Sequence, residues 1–289
     1  MTDRPETTTV TPQLLRDWAL PDPDGGKESR GTVLVVGGSR FTPGAVLLSG
    51  VAALRAGAGR LQLATTEGTA TALSIAVPEA AVIGLPETNG GSVRGDVPDS
   101  LLEMASATDV LVVGPGLDDI DETATLMRRV LGAAGERTRV VLDAYALGAL
   151  SHDRSLVEDV RGRTVTTPNI VEVSRMLDRE AGDDLRAAAL EAADTYGVVV
   201  SVYGHVASPD GRTWREESAD VGLGTSGSGD VSAGVVAGLL ARGADPEQAA
   251  CWGAYVHAVS GQRLVQRFGR VGFLARELVD EVAATIAMV

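Results

Sequence analysis

Residues 224–240 read GTSGSGDVSAGVVAGLL, a loop of small residues that runs directly into an apolar, helix-compatible segment. Three glycines and three hydroxyl residues precede one carboxylate, Asp230. Glycine lets a backbone approach a ligand because it has no Cβ, and free N–H groups at the start of a helix attract anions such as phosphate. Aspartate is also a preferred helix cap. The stretch therefore has two interpretations: a plain cap at Asp230, or a phosphate cradle with a base beside it.

The composition is that of a globular protein whose core is built from small and aliphatic side chains. The 289 residues are 44% hydrophobic and 22% charged, but only 3% aromatic. This length suits one large α/β domain or two small ones. The single cysteine, Cys251, excludes an internal disulfide and a cysteine metal cluster, and its apolar surroundings predict a buried thiol.

The net charge of −14 argues against nucleic acids and anionic membranes as partners. No apolar run approaches the roughly 18 residues of a spanning helix. Residues 1–10 are polar and lack the apolar centre of a signal peptide. The sequence therefore predicts a cytoplasmic protein without a membrane partner, and a disordered segment over residues 1–10.

Strand and helix patterns alternate along the chain without a linker. A continuous apolar run such as 32–36 is typical of a strand buried on both faces of a parallel sheet. Strands are predicted over 32–39, 60–65, 80–85, 109–113, 140–143, 164–166 and 198–202. Helices are predicted over 11–18, 44–57, 69–75, 121–131 with Asp121 as its cap, 170–177, 184–196, 230–241, 247–265 and 273–287. This alternation runs from about residue 32 to 240 and indicates one doubly wound α/β domain. We assign residues 11–289 to this single domain.

Unusual residues follow the predicted strands at the ends where ligands bind in such sheets. They are Gly37-Gly38-Ser39, Gly114-Pro115-Gly116, Asp143, Pro168-Asn169 and Gly227-Ser228-Gly229-Asp230. The P-loop pattern is absent, because Gly26-Lys27 is followed by Glu28, and no Gly-x-Gly-x-x-Gly follows the first strand. A third way to bind a nucleotide uses the glycine loop that precedes Asp230. The N–H groups of that loop hold a phosphate, and Asp230 accepts a proton from an attacking hydroxyl.

The glycine loop ending in Asp230 resembles the anion-hole loop of the ribokinase-like superfamily. The motif set as a whole resembles one branch of it, the ADP/ATP-dependent NAD(P)H-hydrate dehydratases. The matching motifs are Thr11-Pro12, Gly37-Gly38-Ser39 with Gly44-Ala45, 53–59, Pro78-Glu79 and 114–117. The resemblance covers roughly residues 11–285. It implies a three-layer α/β/α domain with a mostly parallel central sheet, helices on both faces and no fused epimerase domain.

The resemblance also implies a reaction that repairs damaged cofactor. ADP or ATP, with Mg²⁺, phosphorylates the ring hydroxyl of hydrated NADH or NADPH (NADHX or NADPHX), and phosphate then leaves. Asp230 is the implied base, and the N–H groups of Gly227, Ser228 and Gly229 are the implied phosphoryl contacts. The resemblance likewise implies that the hydrated cofactor contacts Ala45, Gly116, Asn169 and Asp230. No residue is assigned to a metal, and family members often form homo-oligomers.

Three positions depart from the family pattern. Asn169 stands where the family usually has histidine, and Tyr145 stands where it usually has aspartate, in Asp143-Ala144-Tyr145. Counted forward from Tyr196-Gly197, the nucleotide-binding Lys-Gly falls on Tyr203-Gly204, followed by His205. Counted back from 209–211, the lysine falls on Val200. Neither register supplies a lysine, and the segment is about three residues short. Lys27 and Arg40 are candidate replacements for the missing cation. Two alternatives therefore stay open: an alcohol kinase of the same fold, and a nucleotide-binding homologue that has lost catalysis.

Overall fold

The computed structural model describes residues 6–22, 25–219 and 221–289. These residues include ten strands, which form a single sheet in the order β1-β10-β9-β8-β7-β6-β5-β2-β3-β4. The strands are β1 (Thr8–Thr9), β2 (Thr32–Val36), β3 (Arg60–Thr66), β4 (Ala80–Leu85), β5 (Val110–Val113), β6 (Arg139–Leu142), β7 (Thr164–Thr166), β8 (Val199–Val202), β9 (His205–Ala207) and β10 (Thr213–Arg215).

The centre of the sheet is parallel, and one of its sides ends in an antiparallel hairpin. Strands β4, β3, β2, β5, β6, β7 and β8 pair in parallel. Strand β9 is antiparallel to both β8 and β10, and β1 pairs in parallel with β10. Because β2 through β8 all run in one direction, their carboxyl ends lie along a single edge of the sheet.

Helices cover both faces, which makes the three layers predicted from the sequence. On β2, Val33 and Val35 enter one core, whereas Leu34 and Val36 enter the other. The first core is closed by α1 (Pro12–Asp17), α2 (Pro43–Arg55), α3 (Glu67–Ala76), α9 (Ser228–Ala241), α10 (Pro246–Phe268) and α11 (Ala275–Ile286). The second is closed by α4 (Asp99–Ala107), α5 (Ile120–Ala133), α6 (Tyr145–His152), α7 (Ile170–Met176) and α8 (Leu185–Tyr196).

Small residues bring α2 and α9 into close contact. A Cβ added at Gly234 of α9 would overlap the Ser49 carbonyl of α2, and one added at Gly238 would overlap the Ala53 carbonyl. Larger side chains at these positions would push the two helices apart. This packing fixes the position of the amino end of α9 at the carboxyl edge of the sheet.

Several sequence predictions need correction at the ends of elements. Helix α5 begins at Ile120 with Asp119 as its cap, because the Asp119 side chain accepts a hydrogen bond from the Glu122 N–H, so the prediction of Asp121 as the cap is wrong. The predicted disorder of residues 1–10 is wrong for Thr8 and Thr9, which form β1, whereas residues 1–5 lie outside the described residues. Helices α4 and α6 and strands β9 and β10 were not predicted.

None of the helices in the described ranges is long and apolar enough to cross a membrane.

Candidate functional site

The residues that follow the parallel strands converge at the carboxyl edge of the sheet, as the sequence predicts. Gly37-Gly38-Ser39 follows β2, Gly114-Pro115-Gly116 follows β5, Asp143 follows β6 and Pro168-Asn169 lies just beyond β7. The amino end of α9 reaches the same edge and brings Asp230 close enough to Glu172 of α7 for the charge of Glu172 to act on it.

The glycine loop ends in a left-handed residue that starts α9. Gly227 is the helix cap with φ of 87°, and Asp230 lies in the first turn, so the interpretation of Asp230 as the cap is wrong. The Ser228 N–H donates to the Thr225 carbonyl at 3.2 Å, and the Val231 N–H donates to the Gly227 carbonyl at 3.2 Å. Among the described residues, the N–H groups of Gly229 and Asp230 have no backbone acceptor. These two groups, at the positive end of the helix dipole, are available to an anion.

Asp230 has the electrostatic environment of a base. Its pKa is raised from 3.8 to about 6, chiefly by burial and then by the negative charge of Glu172. Burial also raises the pKa of Glu172 itself. A carboxylate with a pKa near the working pH accepts a proton from a hydroxyl more readily than an ordinary aspartate does.

A second carboxyl group, Asp143, is buried beside the site. Its Oδ1 accepts a hydrogen bond from the Thr167 hydroxyl at 2.8 Å. Burial is the main reason that its pKa rises to about 8, and the charges of Glu172 and Asp230 add to this effect. Asp143 precedes Ala144, a non-glycine residue with φ of 51°, at the start of α6. At neutral pH this carboxyl group is therefore mostly protonated, and its neighbour Asp230 is the better ionised of the two.

The loops after β2 and β5 interlock where the resemblance places the hydrated cofactor. The Gly38 N–H donates to the Pro115 carbonyl at 2.7 Å, and the Thr42 hydroxyl donates to the Gly116 carbonyl at 2.6 Å. Ala45, in the first turn of α2, lies directly beside Gly116. The structure therefore brings together two residues that are 71 positions apart in the sequence.

Asn169 is the N-terminal cap of α7, in addition to any contact it makes with a ligand. It caps α7 in a capping box: its Oδ1 accepts from the Glu172 N–H at 2.9 Å, and Glu172 accepts from the Asn169 N–H at 2.8 Å. The side-chain NH₂ group is left as the donor for a ligand. The same contacts hold the Glu172 carboxylate at the carboxyl edge, where it acts on Asp230.

Tyr203 and Gly204 form the tight turn between β8 and β9. Both have positive φ, 47° and 78°, as a two-residue type I′ hairpin requires, which accounts for the shortness of this segment. The Tyr203 side chain is 61% exposed, and its carbonyl accepts from Arg215 at 2.7 Å. The neighbouring His205 has a buried Nδ1 without a partner among the described residues, and burial lowers its pKa.

The two cations suggested as replacements for the missing lysine lie at opposite edges of the sheet. Lys27 lies at the amino edge, because its carbonyl faces Gly59, the residue before β3. Arg40 lies at the carboxyl edge and forms an ion pair with Glu87. The position of Lys27 excludes it from the site.

One residue of this region was not recognised as part of it from the sequence. His257 of α10 is partly buried, and its Nε2 lies 2.8 Å from the Ser228 hydroxyl oxygen. Helical spacing alone predicts a packing residue there, and only the fold brings α10 against the start of α9.

A family model described as NAD(P)H-hydrate dehydratase matches residues 33–284. The chain belongs to the NAD(P)H-hydrate dehydratase family. It is 46% identical to the ADP-dependent (S)-NAD(P)H-hydrate dehydratase of Xanthomonas campestris, over 96% of each chain. Its structure is similar to that of the ADP/ATP-dependent NAD(P)H-hydrate dehydratase from Bacillus subtilis co-crystallized with ATP/Mg²⁺, with a TM-score of 0.80, 25% identity and coverage of 98% and 99% of the two chains.

The fold is also that of a ribokinase-like superfamily protein from Enterococcus faecalis, with a TM-score of 0.83, 22% identity and coverage of 98% and 96%. The predicted family and fold are therefore confirmed. Within the part of the chain that the structure describes, no group of three or more His, Cys, Asp or Glu residues could hold a metal ion.

Proposed function

We propose that this protein dehydrates hydrated NADH or NADPH in a nucleotide-dependent repair reaction. The observation that carries the proposal is the start of α9, where a partly buried carboxylate with a raised pKa follows two N–H groups that lack a backbone acceptor. This arrangement provides a proton acceptor next to an anion site. The relative from X. campestris is named as an ADP-dependent enzyme of this kind, which supports the same substrates here.

In the first step, Asp230 accepts the proton of the ring hydroxyl while the hydroxyl oxygen attacks the terminal phosphorus of the nucleotide. The bond from that phosphorus to the rest of the nucleotide breaks, so ADP would leave as AMP and ATP as ADP. The N–H groups at the start of α9 stabilise the charge on the transferring phosphoryl group. Magnesium is expected with the nucleotide, where it neutralises phosphate charge.

In the second step, the ring nitrogen donates its lone pair and the C–O bond to phosphate breaks. The adjacent ring carbon then loses a proton, which the departing phosphate can accept, and the double bond of the reduced nicotinamide returns. Phosphorylation is needed because hydroxide is a poor leaving group and phosphate is a good one.

The two ligands are assigned to two parts of the carboxyl edge. The hydrated cofactor is proposed to contact Ala45, Gly116 and Asn169. The nucleotide is proposed to contact the Gly227–Gly229 loop together with Tyr203, Gly204 and His205 in the turn after β8. A cytoplasmic location and a homo-oligomeric state remain predictions, and light scattering would test the second of these.

The test is a cuvette assay with purified protein, Mg²⁺, hydrated NADH and either ADP or ATP, in which the return of reduced-nicotinamide absorbance is followed. We expect a nucleotide-dependent rise that Asp230→Asn reduces by about 10²–10⁴-fold. Asp245→Asn is the matched control, because Asp245 also starts a helix but its side chain pairs with Arg139, at the amino edge.

Other results would point to the two alternatives. A stable phosphoester without restored absorbance would identify an alcohol kinase. No turnover with either nucleotide, by protein shown to be folded and to bind nucleotide, would identify a homologue that has lost catalysis. A rate that Asp230→Asn leaves unchanged would contradict the assignment of the base.

A further inference from the structure

His257 makes two contacts through one ring nitrogen. Its Nε2 lies 2.8 Å from the Ser228 hydroxyl oxygen and 3.0 Å from the Ser228 carbonyl oxygen. Ser228 is the first residue of α9 and is buried, whereas His257 lies in the middle of α10. The two helices are therefore joined by a polar contact at the point where the glycine loop begins α9.

The carbonyl contact favours the tautomer of His257 that carries its hydrogen on Nε2. A carbonyl oxygen can only accept a hydrogen bond, so the 3.0 Å contact is a hydrogen bond only when Nε2 bears the hydrogen. With its hydrogen on Nε2, that nitrogen has no lone pair to offer the Ser228 hydroxyl. The hydroxyl oxygen therefore accepts from His257 as well, and its own hydrogen is directed elsewhere.

Burial keeps the histidine in one charge state. It lowers the pKa of His257 to about 4, and the Ser228 carbonyl offsets this effect only in part. The ring is therefore a neutral donor at neutral pH. A neutral donor orients the hydroxyl without adding a charge that would compete for the phosphoryl group.

We propose that His257 is a positioning residue, which orients the Ser228 hydroxyl so that its hydrogen is donated to the transferring phosphoryl group. This inference rests on the proposed function, and it adds a side-chain donor to the N–H groups of Gly229 and Asp230. The Ser228 N–H is already donated to the Thr225 carbonyl at 3.2 Å, so under this proposal the hydroxyl, and not the N–H, is the group that Ser228 offers to the anion.

The principal test is a double-mutant cycle with Ser228→Ala, His257→Leu and the double variant. Loss of the hydroxyl is expected to reduce kcat by about 10²-fold, the usual effect of removing one donor to a developing charge. His257→Leu fills the same space without a donor, and we expect about a tenfold loss of kcat with little change in the nucleotide KM. Because His257 acts through Ser228, the double variant should be no slower than Ser228→Ala alone.

His257→Gln keeps a hydrogen-bond donor at position 257 but removes the imidazole ring, so it distinguishes the effect of the hydrogen bond from that of ring packing. The amide NH₂ of glutamine can donate to the Ser228 carbonyl and hydroxyl, so this variant should recover kcat to within about threefold of the original. If His257→Leu is fully active, if the two losses multiply in the double variant, or if His257→Gln is as slow as His257→Leu, the proposal is wrong. Thermal unfolding of each variant identifies any loss that comes from misfolding.

The tautomer can be measured without any activity. The chain has three histidines, so long-range ¹H–¹⁵N NMR spectra can be assigned by comparison with His257→Gln. We expect a neutral His257 ring protonated on Nε2 at pH 7. A ring protonated on Nδ1 would overturn the positioning role even in an active enzyme. An inactive protein with the expected tautomer would instead count against the proposed function.

Discussion

Gly116 lies directly against Ala45, although Gly116 belongs to the loop after β5 and Ala45 to the first turn of α2. A Cβ added at Gly116 would be 2.9 Å from the Ala45 Cβ and 2.6 Å from the Thr42 carbonyl oxygen. Gly116 also has φ of 73°, a backbone conformation that residues other than glycine rarely adopt. Any larger residue at position 116 must therefore separate the two loops that are proposed to hold the hydrated cofactor.

We expect Gly116→Ala to raise the KM for hydrated NADH by about tenfold. The forced separation of the loops costs about 1–3 kcal/mol, and about 1.4 kcal/mol corresponds to a factor of ten in affinity. Gly162→Ala is the matched control, because Gly162 has φ of 75° but open space around it. Steady-state kinetics on both variants would check this. A KM of Gly116→Ala no higher than that of Gly162→Ala would contradict the prediction.

A lysine at position 203 should strengthen nucleotide binding. The Tyr203 side chain is exposed at the turn after β8, so it can be replaced without disturbing the core. If this turn faces the phosphates, a charge-assisted contact adds about 1.5–3 kcal/mol and lowers the Kd for ADP by about tenfold or more. Calorimetric titration of Tyr203→Lys and of Tyr203→Gln, its uncharged control, would measure this. Identical Kd values for the two variants would place the turn outside the nucleotide site.

The rate should rise with pH as Asp230 ionises. A base must be deprotonated to act, and the pKa of Asp230 is about 6, so kcat/KM should increase through about pH 6. Glu172→Gln removes the charge that helps to raise this pKa, and glutamine can still accept from the Asn169 N–H in the capping box.

In Glu172→Gln, the rise of kcat/KM with pH should therefore occur at lower pH. Nucleotide phosphates also ionise near pH 6, but that ionisation is the same for both proteins. If kcat/KM rises at the same pH in Glu172→Gln and in the original protein, the rise reports the ionisation of the nucleotide and not that of Asp230.

The sequence was sufficient for those parts of the site that depend on local pattern. Buried strands and the glycines that end them predict a parallel sheet and its carboxyl edge, and so they place Gly116 and Asp230 in the same region. The sequence was not sufficient to predict contacts between helices or strands that are far apart in the chain. The contact of His257 with Ser228 depends on how α10 packs on α9, and neither residue's neighbours in the sequence indicate it.

The hairpin at Tyr203-Gly204 escaped prediction for a different reason. Type I′ turns usually contain asparagine or aspartate with glycine, because both central residues need positive φ, and tyrosine is unusual there. The three-residue strands β9 and β10 are too short to show a period of two. Their pairing becomes visible only in the sheet.

Replacing the buried acid Asp143 should stabilise the protein at alkaline pH. In the folded state its pKa is about 8, whereas in the unfolded chain it returns to about 4. Between these values the unfolded state releases a proton that the folded state keeps, so this group makes the free energy of unfolding fall as pH rises from about 4 to about 8. Asp143→Asn removes that dependence, and its Oδ1 still accepts from the Thr167 hydroxyl.

Urea unfolding at pH 5 and pH 8 would measure this difference. At pH 8, Asp143→Asn should be more stable than the original protein by on the order of 3 kcal/mol, and the gain should be much smaller at pH 5. Asp153→Asn is a control of opposite sign, because hydrogen bonds from Ser155 and Arg128 lower the pKa of Asp153. Its ionised form is the stabilising one, so that variant should be less stable at both pH values. A gain for Asp143→Asn that is equal at pH 5 and pH 8 would mean that Asp143 is ionised in the folded protein.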